Sequence, residues 1–316
     1  MRAAVVHALG QSPTYQSFPD PVPERDEALV KVHAIGLHPI VKALASGEHY
    51  LSSSEVPFIP GLDGTGVLED GRRVFFTFVR KPWGTMAEMA AAPQRMCITL
   101  PKNLDFQQAA AIANPGMSAW LCLKDRGALT QGETVLVLGA TGVAGQLAIQ
   151  AARFLGARRI IAVGRNVEAL NEADVDRIIP LGDPEDAVRD AFAAEARSGI
   201  DLIADYLWGR PAEMLLEALA KGFSAKSTRR TRWVEVGESA GKTITMPGAT
   251  LRSVDLTMMG SGFGSTSLDR VFAAIPTLFS MAAAGTLKVA VEPCPLAEVE
   301  SAWTRIEKGR RIVFTP

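Results

Sequence analysis

Apolar positions fall along the chain in two regimes. Through residues 1–115 they come in short runs, Arg2–His7, Ala28–Ile35, Gly64–Leu68, Arg72–Phe78 and Ala87–Ala92, punctuated by Pro, Gly and Asp. Runs of this length and period read as half-buried strands. With no long amphipathic helix among them, the stretch predicts an irregular β-rich domain. Near Phe106–Ala113 the spacing turns helical, Pro115-Gly116 marks a hinge, and a new helix is expected from Met117. Strands then follow at Thr134–Leu138, Arg159–Val163, Arg177–Pro180, Asp201–Tyr206, Trp233–Val236 and Leu256–Gly260, with a helical run ending at Leu155 and another over Pro211–Ala220. Six strands alternating with helices predict a doubly wound parallel sheet. A helix over Leu268–Ala284 and short strands to Pro316 return the chain to the first domain.

One turn carries chemistry. Between the strand ending at Leu138 and the helix ending at Leu155 the chain reads Gly139-Ala140-Thr141-Gly142-Val143-Ala144-Gly145. Small residues here let backbone N–H groups approach a pyrophosphate at the positive end of the helix. Strand, glycine turn, helix and strand is the context that makes this a dinucleotide fingerprint. Ala140 stands at the first position of G-x-G-x-x-G, with Gly142 and Gly145 at the other two. A site that prefers NAD ends its second strand in an acid that binds the ribose hydroxyls. Here that end reads Gly164-Arg165-Asn166, so a cation and an amide face the ribose and NADPH is the expected cofactor.

Composition narrows the classes. The 316 residues carry 33 Lys+Arg against 34 Asp+Glu, so no global charge draws the chain to nucleic acid or a membrane surface. A hydrophobic fraction of 47% with 21% charged residues is ordinary for a soluble globular enzyme. No apolar run reaches membrane-spanning length, and the start at Met1-Arg2 reads as a strand rather than a signal peptide. Cys97, Cys122 and Cys294 are isolated, which points to a reducing, cytoplasmic compartment. The basic stretch 221–233, with Lys221, Lys226, Arg229, Arg230 and Arg232, lacks the aromatic interleaving of a nucleic-acid site and reads as a solvated loop.

Several stretches resemble the medium-chain dehydrogenase/reductase superfamily, in its zinc-independent quinone oxidoreductase branch. Ala34-Ile35-Gly36-Leu37-His38-Pro39 is similar to the family's Asn-Pro-hydrophobic-Asp segment, and Pro60-Gly61-Leu62-Asp63-Gly64-Thr65-Gly66 to its G-x-D-x-x-G turn. Gly84-Thr85-Met86-Ala87-Glu88 resembles its G-x-x-A-E strand, and Gly309-Arg310-Arg311-Ile312-Val313 sits at its closing strand. The order of these pieces spans nearly the whole chain. His38 stands where the family has Asn, Val41 where it has Asp, and Ala43 where some relatives carry Tyr. The resemblance implies a GroES-like catalytic domain (1–115 and 261–316) and a Rossmann NADP-binding domain (116–260). It also implies a homodimer formed by edge pairing around Leu256–Gly260. Its activity would be hydride transfer from NADPH to a small-molecule substrate, a quinone or related conjugated carbonyl. Reduction of activated C=C bonds or ketones, and a non-catalytic NADPH-binding role, stay open.

The resemblance also implies site residues. His38, His49 and Tyr50 fall in the segment lining the family's cleft and are the candidate proton donors. Ser118 matches a position near the nicotinamide; Ala140, Thr141, Gly142, Val143, Gly164, Arg165 and Asn166, with Tyr206, Val236 and Gly237 at strand ends, are the candidate cofactor contacts. A metal is not expected, because the positions matching the zinc ligands are His38, Leu62-Asp63 and the Asn114 region, too few donors for a site. Two rival motifs fail. Gly237-Glu238-Ser239-Ala240-Gly241 matches G-x-S-x-G, but no histidine follows it, and Lys242–Pro247 reads as strand rather than helix. A short-chain reductase needs Tyr-x-x-x-Lys, and Tyr206 is followed at that spacing by Arg210.

Overall fold

The computed structural model describes residues 1–49, 51–221, 230–306 and 309–316. They form two units, Met1–Pro115 with Pro276–Pro316, and Gly116–Ile275. In the first unit β1 (Arg2–Val5), β2 (Thr14–Ser17) and β3 (Glu27–Gly36) precede α1 (Pro39–Ser46). Then come β4 (Asp63–Leu68), β5 (Arg73–Thr77), β6 (Met89–Pro93), β7 (Ile98–Thr99) and the start of α2 (Phe106–Trp120). The second unit holds β8 (Thr134–Leu138), α3 (Val143–Phe154), β9 (Arg159–Gly164), α4 (Val167–Asn171), β10 (Arg177–Pro180) and α5 (Glu185–Ser198). It continues with β11 (Leu202–Asp205), α6 (Gly209–Lys221), β12 (Thr231–Glu235), α7 (Gly248–Ser253) and β13 (Leu256–Gly260). Helix α8 (Leu268–Ala283) leads to β14 (Ala290–Pro295), α9 (Val299–Trp303) and β15 (Arg310–Thr315).

The first unit is built on a seven-stranded sheet in the order β14-β15-β3-β4-β5-β7, with β6 also on β3. Strand β3 shows why it forms: Val30, Val32 and Ala34 are buried while Lys31 and His33 between them are exposed. Its core gathers Val30, Val32, Ile35, Phe76, Met86 and Phe314.

The second unit is a six-stranded, all-parallel sheet in the order β10-β9-β8-β11-β12-β13. Every residue of β8 is buried, as expected for a central parallel strand covered on both faces. Because the strand order reverses between β8 and β11, the switch point of the doubly wound sheet lies at their carboxyl ends. The six strands expected from the sequence are these six. On one face α5 and α6 lie together, their seam crossed by the ion pairs Arg189–Glu217 and Arg210–Glu185, while Arg189 also meets Glu185 within α5 and Arg210 meets Glu213 and Glu217 within α6.

Some expectations need correction. Pro115-Gly116 does not interrupt the helix: α2 runs through Pro115 and continues as a wider π-type turn over Leu121–Arg126. An interior proline removes one helical hydrogen bond, and the burial of Ala109–Ala113 and Ala119 holds the helix together across it. The second crossing between the two units falls at Ile275–Pro276, inside α8. Lys242–Pro247 forms no strand; its stretch joins β12 to α7 as a loop. Helices α1, α4, α5, α7 and α9 are not among the expected elements, α5 because its apolar positions are mostly alanines spaced among charged residues. No helix among the described residues is long and apolar enough to cross a membrane.

Candidate functional site

In the second unit the glycine turn closes onto the neighbouring strand. The N–H groups of Gly139 and Ala140 both donate to the Val163 carbonyl at 2.9 Å, and the Gly142 N–H donates to Gly139 at 3.0 Å. The left-handed backbone falls on Gly139 (φ 87°), so Ala140, 1% exposed, meets no backbone penalty. Gly142 is the N-cap of α3 and has no side chain to occupy the first N–H groups of the helix. Gly145 is there for packing: a Cβ on it would lie 2.2 Å from the Gly139 carbonyl oxygen. Thr141 is half-buried and Val143 buried. A Cβ on Gly164, at the end of β9, would lie 2.9 Å from the Thr141 side chain, so these two residues meet across the turn.

Beyond Gly164, Arg165 is exposed, and no ion pair or hydrogen bond holds its guanidinium among the described residues. Asn166 caps α4, its Oδ1 accepting from the Ala169 N–H at 3.2 Å, which leaves its amide N–H groups to donate elsewhere. Across the switch point, Tyr206 and Leu207 pack beneath Gly139. The N–H groups of Val236 and Gly237 donate to the Asp205 carbonyl at 2.7 and 3.2 Å. Burial pushes the Tyr206 phenol well above its ordinary range, with Cys122 adding to this and neighbouring Ser118 opposing it. The Tyr206 hydroxyl nevertheless has no partner in hydrogen-bond geometry among the described residues, so Ser118 is a neighbour and not a bonded one. Ser239, of the rejected hydrolase motif, donates its hydroxyl to the Tyr206 carbonyl at 2.8 Å.

Asp205, which the sequence did not single out, organises this edge. One carboxylate oxygen accepts from the N–H groups of Leu207 and Trp208, both at 2.9 Å, and the other from Trp233 Nε1 at 3.1 Å. Burial lifts its carboxyl to about 6 against the pull of those hydrogen bonds. The available signal was an acid closing the apolar run Leu202-Ile203-Ala204.

In the first unit, His38 is the N-cap residue of α1 and is wholly buried. Its Nε2 lies 3.2 Å from Asp63 Oδ1, also buried, while its Nδ1 is enclosed without a partner among the described residues. The tautomer that fits has Nε2–H donating to the carboxylate. Arg311 fixes the preceding backbone by donating to the Leu37 carbonyl at 2.7 Å. Glycine at 36 makes room for the imidazole, since a Cβ there would lie 2.5 Å from His38 Nε2. The sequence placed His38 and Asp63 at matching family positions without pairing them. His49 is half-buried and its Nδ1 accepts from the Leu51 N–H at 3.2 Å. Tyr50 lies outside the described residues, as do Lys226 and Arg229. Of the basic stretch, exposed Arg230 donates to Thr257, and half-buried Arg232 donates to the Gly127 and Ala128 carbonyls and to Glu133.

Comparison with known proteins places this geometry. The chain is 31% identical to the quinone oxidoreductase of Pongo abelii over 233 residues, 70% of this chain and 67% of that one. The chain belongs to the medium-chain dehydrogenase/reductase superfamily, in its quinone oxidoreductase branch. Against the probable NADPH-dependent quinone reductase of Emericella nidulans, this superfamily member is 29% identical over 363 residues, covering all of both chains. The solved quinone oxidoreductase of Thermus thermophilus, studied alone and with NADPH, superposes with a TM-score of 0.80 at 27% identity over all of both chains. No family model matches the chain. Within the superfamily's architecture, the parallel sheet is the Rossmann element and the antiparallel-rich sheet the other component.

Proposed function

We propose that this protein is an NADPH-dependent oxidoreductase that reduces quinones or related conjugated carbonyls without zinc. The observation that carries the reading is the turn 139–145: a left-handed Gly139, an open N-cap at Gly142 and a Gly145 packed on the turn leave α3's first N–H groups free to meet a pyrophosphate. Space supports the fit, since a Cβ on Gly142 meets nothing closer than the Gly139 oxygen at 3.4 Å. Exposed Arg165, with Asn166 beside it, would pair with the 2′-phosphate that distinguishes NADPH. Ser118 would contact the nicotinamide side, and Tyr206, Val236 and Gly237 would line the adenine and nicotinamide channel. NADPH, when bound, supplies the hydride.

The protein's remaining task is to hold the acceptor and manage its proton. A quinone spreads the arriving negative charge over its conjugated system, so water suffices to protonate it. That suits a chain whose His38 is enclosed and tied to Asp63; His49 and Tyr50 are the other donors the reading offers. The donor set argues the same way on zinc: His38 and Asp63 are two ligands where a catalytic zinc takes three, and no group of three His, Cys, Asp or Glu among the described residues could hold an ion. A homodimer is supported by β13, an edge strand with half-buried apolar residues and β12 as its neighbour. A cytoplasmic location is supported by free Cys97, Cys122 and Cys294.

The test is steady-state NADPH oxidation with a panel of quinones, enones and simple ketones. Turnover with quinones above the other classes is expected. Turnover confined to enones or ketones moves the protein to the neighbouring activity, and none with any acceptor, despite NADPH binding, makes it a binding protein.

A further inference from the structure

We propose that Asp205 is a positioning residue for the dinucleotide: its buried side chain fixes the turn 206–208, and that turn holds both edges of the crevice in register. This role deepens the reading of the turn 139–145 as a pyrophosphate site and rests on it. Asp205 ends β11, beside the switch point, and none of its surface is exposed.

Five N–H groups converge on this one residue. Its Oδ1 accepts from the N–H groups of Leu207 and Trp208 at 2.9 Å each, and its Oδ2 from Trp233 Nε1 at 3.1 Å. Its carbonyl accepts from Val236 and Gly237 at 2.7 and 3.2 Å. The first two bonds close a turn of the kind that Asp and Asn side chains make with the backbone just ahead of them. Within that turn Trp208 has φ 53°, a left-handed conformation that a bulky residue rarely adopts. Such backbone persists only where its surroundings over-determine it. The carboxylate supplies that constraint on the Trp208 N–H itself. Wholly buried Trp233 supports it from β12, its indole edge to face with that of Trp208 at 6.5 Å.

The turn touches each wall of the crevice. Toward β8, an ideal Cβ on Gly139 would lie 3.2 Å from both Leu207 Cδ2 and Tyr206 Cβ, so these side chains are the floor on which the glycine turn rests. The Tyr206 N–H donates to the carbonyl of Leu138, the residue before that turn, at 3.1 Å. Toward β12, the Tyr206 carbonyl accepts from Ser239 Oγ at 2.8 Å and the Leu207 carbonyl from the Ala240 N–H at 2.7 Å. A shift of 206–208 therefore moves Gly139 and the segment 236–240 together, and with them the N–H groups offered to a pyrophosphate. Burial meanwhile lifts the Asp205 carboxyl to about 6, so at neutral pH the fold keeps this carboxylate at a cost to its own stability. Folds break local rules in this way where the geometry of a site outweighs stability.

The experiment titrates the 316-residue parent and its D205N, D205A and D205E variants with NADPH and NADH by fluorescence, each protein first shown folded by circular dichroism. Asparagine keeps an oxygen for the Leu207 and Trp208 N–H groups, alanine offers none, and glutamate carries its carboxylate one methylene too far. D205N and D205A remove equally the charge that bears on Cys122 and Glu235, so charge does not separate them. We expect D205N to bind NADPH within about threefold of the parent, and D205A and D205E about tenfold or more weaker. NADH should weaken by the same factor, because the glycine turn meets the pyrophosphate and not the 2′-phosphate. The role is overturned if D205A or D205E binds NADPH as the parent does, if D205N is as weak as D205A, or if the loss is confined to NADPH. Should D205A not fold, D205N against D205E decides. A parent that binds neither dinucleotide overturns the reading of the turn 139–145 and this role with it, whereas a parent that prefers NADH overturns only the choice of NADPH.

Discussion

Two glycines three residues apart in the turn should respond to alanine in opposite ways. At Gly145 an ideal Cβ sits 2.2 Å from the Gly139 carbonyl oxygen and 2.8 Å from the Ala140 Cα, both backbone atoms that no rotamer can move. Restoring ordinary contact requires α3 to shift by about 1.2 Å, the kind of overpacking that costs about 1–3 kcal/mol. For a chain of this size each kcal/mol lowers Tm by about 2–4 °C, so Gly145→Ala should melt roughly 2–12 °C lower. At Gly142 the φ of −74° suits alanine, and the nearest atom to its Cβ is at 3.4 Å. Gly142→Ala should therefore be as stable as the parent, or more stable by up to about 1 kcal/mol through the stiffer unfolded chain. Its added methyl occupies the space a pyrophosphate would use, so NADPH binding should weaken about tenfold or more, ~1.4 kcal/mol. Thermal unfolding without cofactor and fluorescence titration with NADPH separate the two effects. A Gly145→Ala protein with parental Tm would refute the packing argument. Parental NADPH affinity in Gly142→Ala would refute the close-approach argument.

Three further outcomes follow from the same geometry. Arg165→Ala should weaken NADPH binding at least about tenfold, with NADH within a few-fold; equal losses for both cofactors in parallel titrations would show that Arg165 does not read the phosphate. Asp205 is raised to about 6 from 3.8, so below 3.8 it is protonated in both states, and as pH climbs to 6 only the unfolded chain ionises it freely. The folded state then binds the extra proton, and Asp205 lowers stability as pH rises through that window, by on the order of 1–3 kcal/mol. Denaturant unfolding from pH 4 to 7 should accordingly show the parent losing more stability than D205N, and parallel curves would count against the buried carboxyl. Prolonged chelation should leave turnover unchanged, and a rate lost to chelator and restored by zinc would reverse the metal-free reading.

Much of this fold was legible because its signals are local. The six strands of the parallel sheet are short β-branched runs with breakers on either side, and Leu256–Gly260 is observed with the ends expected of it. The glycine turn was readable for the same reason, as its strand, spacing and helix are contiguous. Pro115 misled because a proline reports its own missing hydrogen bond, not the burial of the alanines before it that carries α2 through. Helix α5 escaped because Val188 and Phe192 are its large buried residues, too sparse an apolar stripe to show against the charged background. Pairings distant in sequence were the least visible. His38 and Asp63 are 25 residues apart, and Asp205 reaches Trp233 across 28. Only the sheet registers bring those partners together.

The ion-pair seam between α5 and α6 bears on how the second unit responds to heat and salt. Glu185 receives two arginines, Arg189 two acids and Arg210 three, so the seam is a lattice rather than a set of isolated pairs. Exposed single pairs contribute little at room temperature. A lattice gains weight on warming, as the hydration that competes with it weakens. Dissolved salt acts the other way, screening charges beyond about a Debye length. The α5–α6 face is thus the part of the sheet's cover whose grip strengthens in hot dilute buffer and slackens in cold brine.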